Sequence, residues 1–468
     1  MARSSQRNGS LRAIGAIAWL TWKAAARFRL LWVLAGLLVG AVVLLPLLIR
    51  DDGTARGFVQ IMLTYTLSVI TTLLGISTLW LACGTLARDI EECQMQMVAV
   101  KPIARWQIWL GKWLGILLVD ATLLVPAGGS VYALLQWRAH HLPPDEQAIL
   151  RNEIFVARGS LREPAPDVEG DVQHELQKLP NFGALTPSEQ EQTREQVRER
   201  VKALYQVVPP NHRRQWKLDL GWQRALLKDQ PLFLRAKFHV AQTNASGTYL
   251  GIWWFGGEKE LKERQVDPSL AADSFHEVPI PPNLLDESGR LTIMFENQNQ
   301  TAVMFPLDED LEVLYREGGF ALNYARGLAI IFCWLALLAA LGLASASLLS
   351  FPVAAFFSLS VLVVALSSGT LASVVKEGGI AGANHETSQV AVSWVDYLVL
   401  PLFRAILSVV NLVQGFSPVE SLSTGRSITW GHLGVAVVQV VLVLGGLIGA
   451  VGMILFTRRE LAAAQGTH

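Results

Sequence analysis

The sequence predicts an α-helical membrane protein with six transmembrane helices and a β-rich, α+β sandwich-like domain inserted between helices three and four. Hydrophobic residues make up 51% of the 468 residues and charged residues only 17%, whereas about a quarter of a soluble domain is charged. The apolar residues are concentrated in segments 30–137 and 326–456, while segment 138–325 has the composition of a soluble protein. The chain is therefore expected to hold one water-exposed domain between two groups of membrane helices.

Charge and cysteine content exclude some classes of function. The 39 basic residues equal the 39 acidic ones, so no basic excess indicates a nucleic-acid partner. Cys83, Cys93 and Cys333 lie outside segment 138–325, so we expect no disulfide in that domain. The first apolar run, Leu30–Ile49, is longer than the about 7–15 residues of a signal-peptide core and is predicted to be a retained span.

Six segments are long and apolar enough to cross a bilayer, which takes about 20 residues. They are residues 30–49, 58–86, 109–136, 326–348, 352–375 and 432–456. A further apolar stretch, Tyr397–Val413, is interrupted by Pro401 and Arg404, so an external amphipathic segment at 390–414 is predicted to lie at the membrane interface. The alternative is a seventh span, which would place the two termini on opposite sides.

Basic residues near the span ends predict the orientation. Lysines and arginines cluster before span one, between spans two and three, and after span six, so these three regions are predicted to be cytoplasmic. The resulting organisation in the cell (inner) membrane is a cytoplasmic amphipathic helix at 1–29, spans one to three at 30–137 with a cytoplasmic loop at 87–108, an extracytoplasmic domain at 138–325, spans four to six at 326–457, and a cytoplasmic tail at 458–468. For the N-terminal helix, a simple extension of span one is the alternative.

The extracytoplasmic domain is predicted to begin with helices and continue with strands. Thr186-Pro187-Ser188-Glu189 has the pattern of a helix start. Alternation with a period of two begins at Leu232, and two hairpins are predicted, one joining 232–240 to 249–255 and one joining 291–295 to 301–305. The segment contains no HExxH, GxSxG or P-loop motif, so we expect no enzymatic activity on this chain.

The loop between spans two and three combines acidic and apolar residues. It contains Asp89, Glu91 and Glu92, then apolar residues including Met95, Val98 and Ile103, with Pro102 dividing it. A short helix that exposes apolar residues on the cytoplasmic side is suited to binding in a groove on another protein. The pattern therefore predicts a protein partner for this loop.

The loop resembles the cytoplasmic loop of ABC-2 type permeases, the membrane subunits of ATP-driven exporters. The family pattern is an acidic residue, a Gly-Thr step, an apolar run, Pro-x-x-Arg and then Gly-Lys, and the residues that fit it here are Glu91, Pro102, Arg105, Gly111 and Lys112. Cys93-Gln94 stands in place of the Gly-Thr step. The ending Phe456–Leu461 and the six spans also resemble the family, whereas the domain at 138–325 is outside the resemblance.

The resemblance implies a separate ATPase subunit that carries ATP and Mg and binds the loop as a coupling helix, while this chain holds no cofactor. The loop residues expected to contact the ATPase are Asp89, Glu91, Glu92, Met95, Val98, Pro102, Ile103 and Arg105. It also implies a dimer with a second permease copy or a paralogue in the lipid bilayer. Hydroxyl residues of span two would then lie on or near a translocation path: Ser68, Thr71, Thr72, Ser77 and Thr78. Close helix packing by small residues is the alternative explanation for them.

Asp120 is an acidic residue deep inside a predicted span. Intramembrane carboxylates are costly and often functional, so Asp120 is a candidate for the same path, with a hydrogen bond to a neighbouring helix as the alternative. Taken together, these patterns predict the permease subunit of an ABC transporter, which couples ATP hydrolysis to export of a substrate or to mechanical movement of the extracytoplasmic domain. The alternative function is a membrane-anchored binding or assembly protein that presents the 138–325 domain.

Overall fold

The computed structural model describes residues 2–27, 29–48, 55–92, 103–179, 182–184, 187–220, 227, 230–244, 247–257, 260–265, 270–281, 284, 286, 289–307, 311–369, 372, 375 and 396–459. The chain divides into two compact units. The helical unit comprises Met1–Ala157 and Gly319–His468, and the α+β unit comprises Arg158–Gly318. The α+β unit is narrower than the predicted domain at 138–325, because α-helical structure continues past residue 138 and resumes before residue 325.

Long helices, most of them apolar, and a few short ones form the helical unit. They are α1 (Ala2–Arg27), α2 (Arg29–Leu48), α3 (Ala55–Glu91), α4 (Arg105–Ala139), α5 (Pro144–Ile149), α8 (Phe320–Leu348), α9 (Phe351–Leu366), α10 (Asp396–Gln414), α11 (Pro418–Ser423) and α12 (Trp430–Arg458). A π-helical turn, Leu150–Ile154, follows α5, and residues Val437–Gly445 of α12 are also π-helical.

Among the described residues, four helices are long and apolar enough to cross a membrane: α3 from Gly57, α4, α8 and α12. A fifth span results if α1 and α2 count as one bent pair, since Ser10–Arg27 and Leu31–Leu45 diverge by 72°. That angle shows that α1 is not a straight extension of α2. The segment predicted as span five, 352–375, contains most of the 16-residue α9, and its residues 370, 371, 373 and 374 lie outside the described part of the chain.

Helix α10 covers the described part of the predicted interfacial segment 390–414. It is amphipathic, since Leu407 and Val410 are buried while Arg404 is exposed. It is not among the helices whose length and composition suit a membrane span.

Glycines on α4 allow α1 to pack closely against it. A Cβ added at Gly111 would lie 2.7 Å from Cβ of Ile17, and one added at Gly115 would lie 2.5 Å from Cβ of Thr21. The four-residue spacing places both glycines on one side of α4, as in small-residue helix contacts within membranes. Residues Ile14, Ala18, Thr21 and Ala25 of α1 are buried, so its inward side contacts protein.

Strands and two helices make up the α+β unit. They are β1 (Val156–Arg162), α6 (Val168–Gln177), α7 (Pro187–Gln206), β2 (Val207–Val208), β3 (Arg213–Asp219), β4 (Leu232–Lys237), β5 (His239–Val240), β6 (Thr248–Tyr249), β7 (Ile252–Gly257), β8 (Glu260–Gln265), β9 (Leu270–Ala271), β10 (Phe275–Ile280), β11 (Arg290–Glu296), β12 (Val303–Met304) and β13 (Glu312–Gly319). A short 3₁₀ turn, Phe182–Ala184, precedes α7. Helix α7 begins at Pro187, as the sequence pattern predicts, and Thr186 lies outside the described residues.

Two four-stranded sheets share the core of the α+β unit. Their strand orders are β1-β13-β4-β10 and β3-β11-β7-β8. The core contains Leu234 and Val313 from the first sheet and Trp216, Phe255 and Ile293 from the second. Burial of alternate residues from both sheets is typical of sandwich-like packing.

Both predicted hairpins are wrong in their pairing. Strand β4 pairs with β10 and β13 rather than with β7, and β11 pairs with β3 and β7 rather than with β12. The period-two pattern located these strands but carried no information about partners distant in sequence. Asn297, buried between β11 and β12, donates to Val208 O and Thr301 O at 2.9 Å each, so the intervening turn fixes a connection rather than a hairpin.

Candidate coupling site and buried polar residues

The candidate coupling loop is described at its two flanks. Helix α3 ends at Glu91, residue 92 follows as a turn, and the chain is described again from Ile103 before α4. Met95, Val98 and Pro102 lie outside the described residues. Ile103 is partly buried against a core that includes Phe456, and Glu92 is exposed at the end of α3. The flanks of the loop are therefore part of the helical unit.

Asp89 pairs with a lysine of α4. Lys112 Nζ lies 2.5 Å from Asp89 Oδ2 and donates to Thr85 O at 2.7 Å. The Lys112 side chain is 9% exposed and that of Asp89 34%. A buried ammonium needs a counterion and hydrogen-bond acceptors, and Asp89 supplies the counterion. Asp89 thus joins α3 to α4, which accounts for its position independently of any partner protein.

Glu91 contacts the start of α9. Its Oε1 accepts a hydrogen bond from Phe351 N at 2.8 Å, and the Arg88 guanidinium lies 4.3 Å from the Phe351 ring centre. The first amides of a helix have no intrahelical acceptor, and a carboxylate beside them is favourable. Ser350, at the N-cap of α9, makes no capping hydrogen bond through its own side chain, so Glu91 supplies this interaction from another helix.

Arg105 binds the end of the last helix. Its Nη1 donates to the carbonyl oxygens of Phe456, Thr457 and Arg459, at 3.3, 2.8 and 2.9 Å. Arg459 in turn donates through Nη1 to Ala346 O and Ser347 O at the end of α8, at 3.3 and 3.2 Å. Cations at helix C-termini satisfy carbonyls that have no intrahelical donor.

The N-terminal helix contacts the same region. Gln107 Nε2 donates to Ser10 Oγ at 2.7 Å. Together with the contacts of Glu91, Arg105 and Arg459, this bond brings the N-terminal helix, the α3–α4 loop, the α8–α9 turn and the end of α12 to one end of the helical unit. In the sequence, Arg459 belongs to the basic cluster after span six and to the ending Phe456–Leu461 that resembles the family. A basic residue in the last turn is a known helix-end signal, but it does not reveal that the side chain reaches a different helix.

Asp120 forms a hydrogen bond to a neighbouring helix, as the alternative interpretation of this residue predicts. It is 1% exposed near the middle of the 35-residue helix α4. The Oγ1 hydroxyl of Thr78, on α3, donates a hydrogen bond to Asp120 Oδ1 at 2.8 Å. Its other oxygen, Oδ2, has no hydrogen-bond partner among the described residues. The Asp120–Thr78 pair is enclosed within the helical unit.

The other candidate path residues do not gather around Asp120. Ser68 and Thr72 are exposed on α3, whereas Thr71 is partly buried and its hydroxyl lacks a partner among the described residues. Ser77 donates to Leu74 O of its own helix at 2.9 Å. Within the part of the chain that the structure describes, neither Ser68 nor Thr72 forms a hydrogen bond. Only Thr78 thus shares a site with Asp120, and Ser68 and Thr72 lie on an outward-facing side of α3.

Arginines on α7 hold a glutamate on α6 in the α+β unit. Arg194 Nη2 lies 2.6 Å from Glu169 Oε1, and Arg198 contacts both carboxylate oxygens at 3.1 Å. The hydrogen bonds from Arg194 and then Arg198 lower the pKa of Glu169 below its ordinary value. These exposed ion pairs join two helices whose shared apolar core is small, with Val172, Leu176 and Val201 buried.

Ser274 and His276 of the α+β unit share one carbonyl acceptor. Ser274 Oγ and His276 Nε2 lie 3.0 Å apart, but both also lie within 3.0 Å of Ala271 O. A carbonyl oxygen only accepts, so His276 Nε2 carries a proton and is not a base toward Ser274. Over the described residues, no group of three or more potential metal ligands occurs.

The fold and the candidate site define a class of protein: a multi-helix chain with an inserted, sheet-rich α+β unit, in which four helices of the described part are long and apolar enough to cross a membrane. Comparisons of the chain with models of protein families, with curated proteins and with solved structures found no match.

Proposed function

We propose that this chain is the permease subunit of an ABC transporter and that a separate ATPase binds its 93–102 segment from the cytoplasm. The observation that carries the proposal is the attachment of both flanks of this segment to the helical unit. Glu91 and Asp89 attach one flank to α9 and α4, and Arg105 attaches the other to α12. A segment mounted in this way passes a displacement to several membrane helices at once.

The proposed topology has six spans, namely α2, α3, α4, α8, α9 with the residues after it, and α12. An even number of spans returns the chain to its starting side. The contacts Ser10–Gln107 and Arg105–Thr457 support this arrangement, because they bring the N-terminal helix, the loop and the C-terminal end together. In the proposal this end is cytoplasmic in the cell membrane, and the α+β unit lies outside.

The proposed assembly contains two permease chains, either two copies or a copy with a paralogue, and two ATPase subunits that carry ATP and Mg. The exposed hydroxyls of Ser68 and Thr72 support a protein neighbour along α3. An unpaired hydroxyl facing hydrocarbon is unfavourable, and a second chain packed there would supply acceptors. Asp120 and Thr78 are placed inside the chain, so in this proposal they support the path rather than line it.

Purification of the full-length chain from its native membrane tests the ATPase contact. We expect an ATPase to co-purify, and Met95→Asp with Val98→Asp to release it, because the charges would enter an apolar interface. Gln94→Asp with Gln96→Asp is the matched control, since it adds the same charge to the same segment at polar positions. Retention of the ATPase by the Met95 and Val98 variant would show that the contact lies elsewhere.

Accessibility of Cys93 tests the orientation separately. Cys83 and Cys333 are buried, so a membrane-impermeant maleimide applied to intact cells reports on Cys93, with Cys93→Ser as the blank. We expect labelling only after the membrane is opened. Labelling of intact cells would place the loop outside and refute the transporter proposal.

A second candidate function is movement of the α+β unit without passage of a substrate. The favouring observation is that β13 ends at Gly319 and α8 begins at the next residue, Phe320, so no linker separates this strand from a central membrane helix. Deletion of residues 158–318 distinguishes the two functions. If the chain without this unit still stimulates ATP hydrolysis by the ATPase in the absence of substrate, transport through the helices is favoured. If the deletion abolishes this stimulation, movement of the α+β unit is favoured.

A further inference from the structure

Charged side chains from other elements bind three helix ends near the described flanks of the 93–102 segment. Glu91 accepts from the first amide of α9, Arg105 donates to the last carbonyls of α12, and Arg459 donates to the last carbonyls of α8. The residues joined by these bonds are separated by 260, 352 and 113 positions along the chain. Local capping residues usually satisfy helix ends, so these distant caps also tie separate helices together.

Two of these contacts act in series. Arg105, at the start of α4, donates to the backbone oxygen of Arg459 at 2.9 Å, and the side chain of Arg459 donates to Ala346 O and Ser347 O at 3.3 and 3.2 Å. This route from the start of α4 to the end of α8 therefore passes through residue 459. Arg458, its neighbour, is exposed and takes no part in these bonds.

We propose that Arg459 is a positioning residue that passes displacement of the 93–102 segment to α8. This inference rests on the proposed function of the segment as the place where an ATPase acts. Arg105 holds the backbone of residue 459, and the guanidinium of Arg459 holds the end of α8. A shift of the loop flank then moves α12 and the end of α8 together, and loss of Arg459 weakens this coupling.

A purely local stabilising role predicts a different pattern. Two independent caps would contribute additively, since each satisfies its own helix end. Contacts in series depend on each other, so removal of either one removes the connection and removal of both costs little more. The distance between α8 and α4, measured in each variant, distinguishes contacts in series from independent caps, which a measurement of stability alone does not.

Spin labels at two exposed positions near the contact measure this position. Trp106 on α4 and Leu348 on α8 are 45% and 59% exposed, and Trp106→Cys with Leu348→Cys in a Cys93→Ser background gives the pair. In the full chain in lipid nanodiscs we expect one narrow distance distribution. Arg459→Gln and Arg105→Gln should each broaden it, and the double variant should resemble either single one.

Matched variants keep the test specific. Arg458→Gln removes the same charge one residue earlier and should leave the distance distribution narrow. Arg459→Lys keeps a cation but loses the guanidinium fork, so it should broaden the distribution less than Arg459→Gln does. An unchanged distribution in Arg459→Gln overturns the inference. So does a broadening in the double variant equal to the sum of the two single ones.

The complex with its co-purified ATPase then separates this inference from the proposed function. With ATP, the wild-type label distance should shift, and Arg459→Gln should abolish the shift while the ATPase stays bound. A shift that persists in Arg459→Gln overturns the relay and leaves the proposed function intact. Failure of any ATPase to co-purify overturns the proposed function, and with it the relay, although the series contacts in the isolated chain would stand.

Discussion

The close packing of α1 on α4 predicts that one methyl group at Gly115 destabilises the chain. In Gly115→Ala the new Cβ would lie 2.5 Å from Cβ of Thr21 and 2.8 Å from Ala18 O. Both distances are far below van der Waals contact, and the neighbours are a β-branched side chain and backbone, so the helices must separate. Overpacking of this kind costs about 1–3 kcal/mol.

Gly129 on the same helix provides the control. It is exposed, and an added Cβ meets nothing within 4 Å. Replacing glycine by alanine inside a helix gains about 1 kcal/mol of propensity at either position, so the difference between the two variants isolates the packing cost. We therefore expect Gly115→Ala to be about 1–3 kcal/mol less stable than Gly129→Ala.

The buried cysteines provide the assay. Cys83 and Cys333 are shielded in the folded chain, so a thiol-reactive dye reports unfolding in detergent when Cys93 is replaced by serine. Unfolding of such chains is often irreversible, so rates at one temperature are compared rather than midpoints. Equal rates for the Gly115 and Gly129 variants would refute the packing argument, because they would show that α1 does not contact α4 as described.

Three other predictions concern charged and polar pairs. Asp89→Asn should cost about 1–3 kcal/mol, since it leaves the Lys112 ammonium without its counterion, and adding Lys112→Met should recover most of the loss in the same thiol assay. Thr78→Val should cost about 1–3 kcal/mol by removing the hydrogen bond to a buried carboxyl group, whereas Asp120→Asn, which retains a partner for Thr78, should cost less; the reverse order would contradict the assignment. Because two arginines of α7 lower the pKa of Glu169, its contribution to folding is present above the ordinary pKa of 4.5 and is lost as pH falls through the lowered value; amide exchange of the described residues of 168–206 in wild type and Glu169→Gln should differ at pH 7 and converge once the pH is below that lowered pKa.

Apolar length located the four helices that are long and apolar enough to cross a membrane among the described residues, because a span needs a long uninterrupted run. The boundaries were less predictable. Helix α8 begins at Phe320 rather than near 326, since its first two turns include Asn323 and Arg326, whose side chains hydrogen-bond to the backbone of residues 426 and 428. Polar residues that bind a neighbouring loop look like solvent-exposed residues in a hydropathy profile.

Some strands of the α+β unit were predicted, within 232–240, 249–255, 291–295 and 301–305, but others such as β3, β10 and β13 were not, and the predicted pairings were wrong. Alternation identifies a strand by its own residues, whereas pairing of β4 with β13 depends on residues almost 80 positions away, such as Arg235 and Glu312 at 3.1 Å. For the candidate loop, likewise, the sequence indicated which residues matter but not which residues they contact. The sequence pattern selected Asp89, Glu91 and Arg105 as polar residues of interest, but their contacts with α4, α9 and α12 depend on the folded arrangement of helices.

The arrangement of β1 and β13 places the two ends of the α+β unit close together. These strands are neighbours in one sheet, and contact of Arg162 with Glu312 and of Gly159 with Tyr315 indicates that they run antiparallel. The two ends of the unit, Arg158 and Gly318, therefore lie near each other. Domains with adjacent ends are suited to insertion into a host chain, so an ancestral bundle of helices could acquire this unit at a single connection without rearranging its spans.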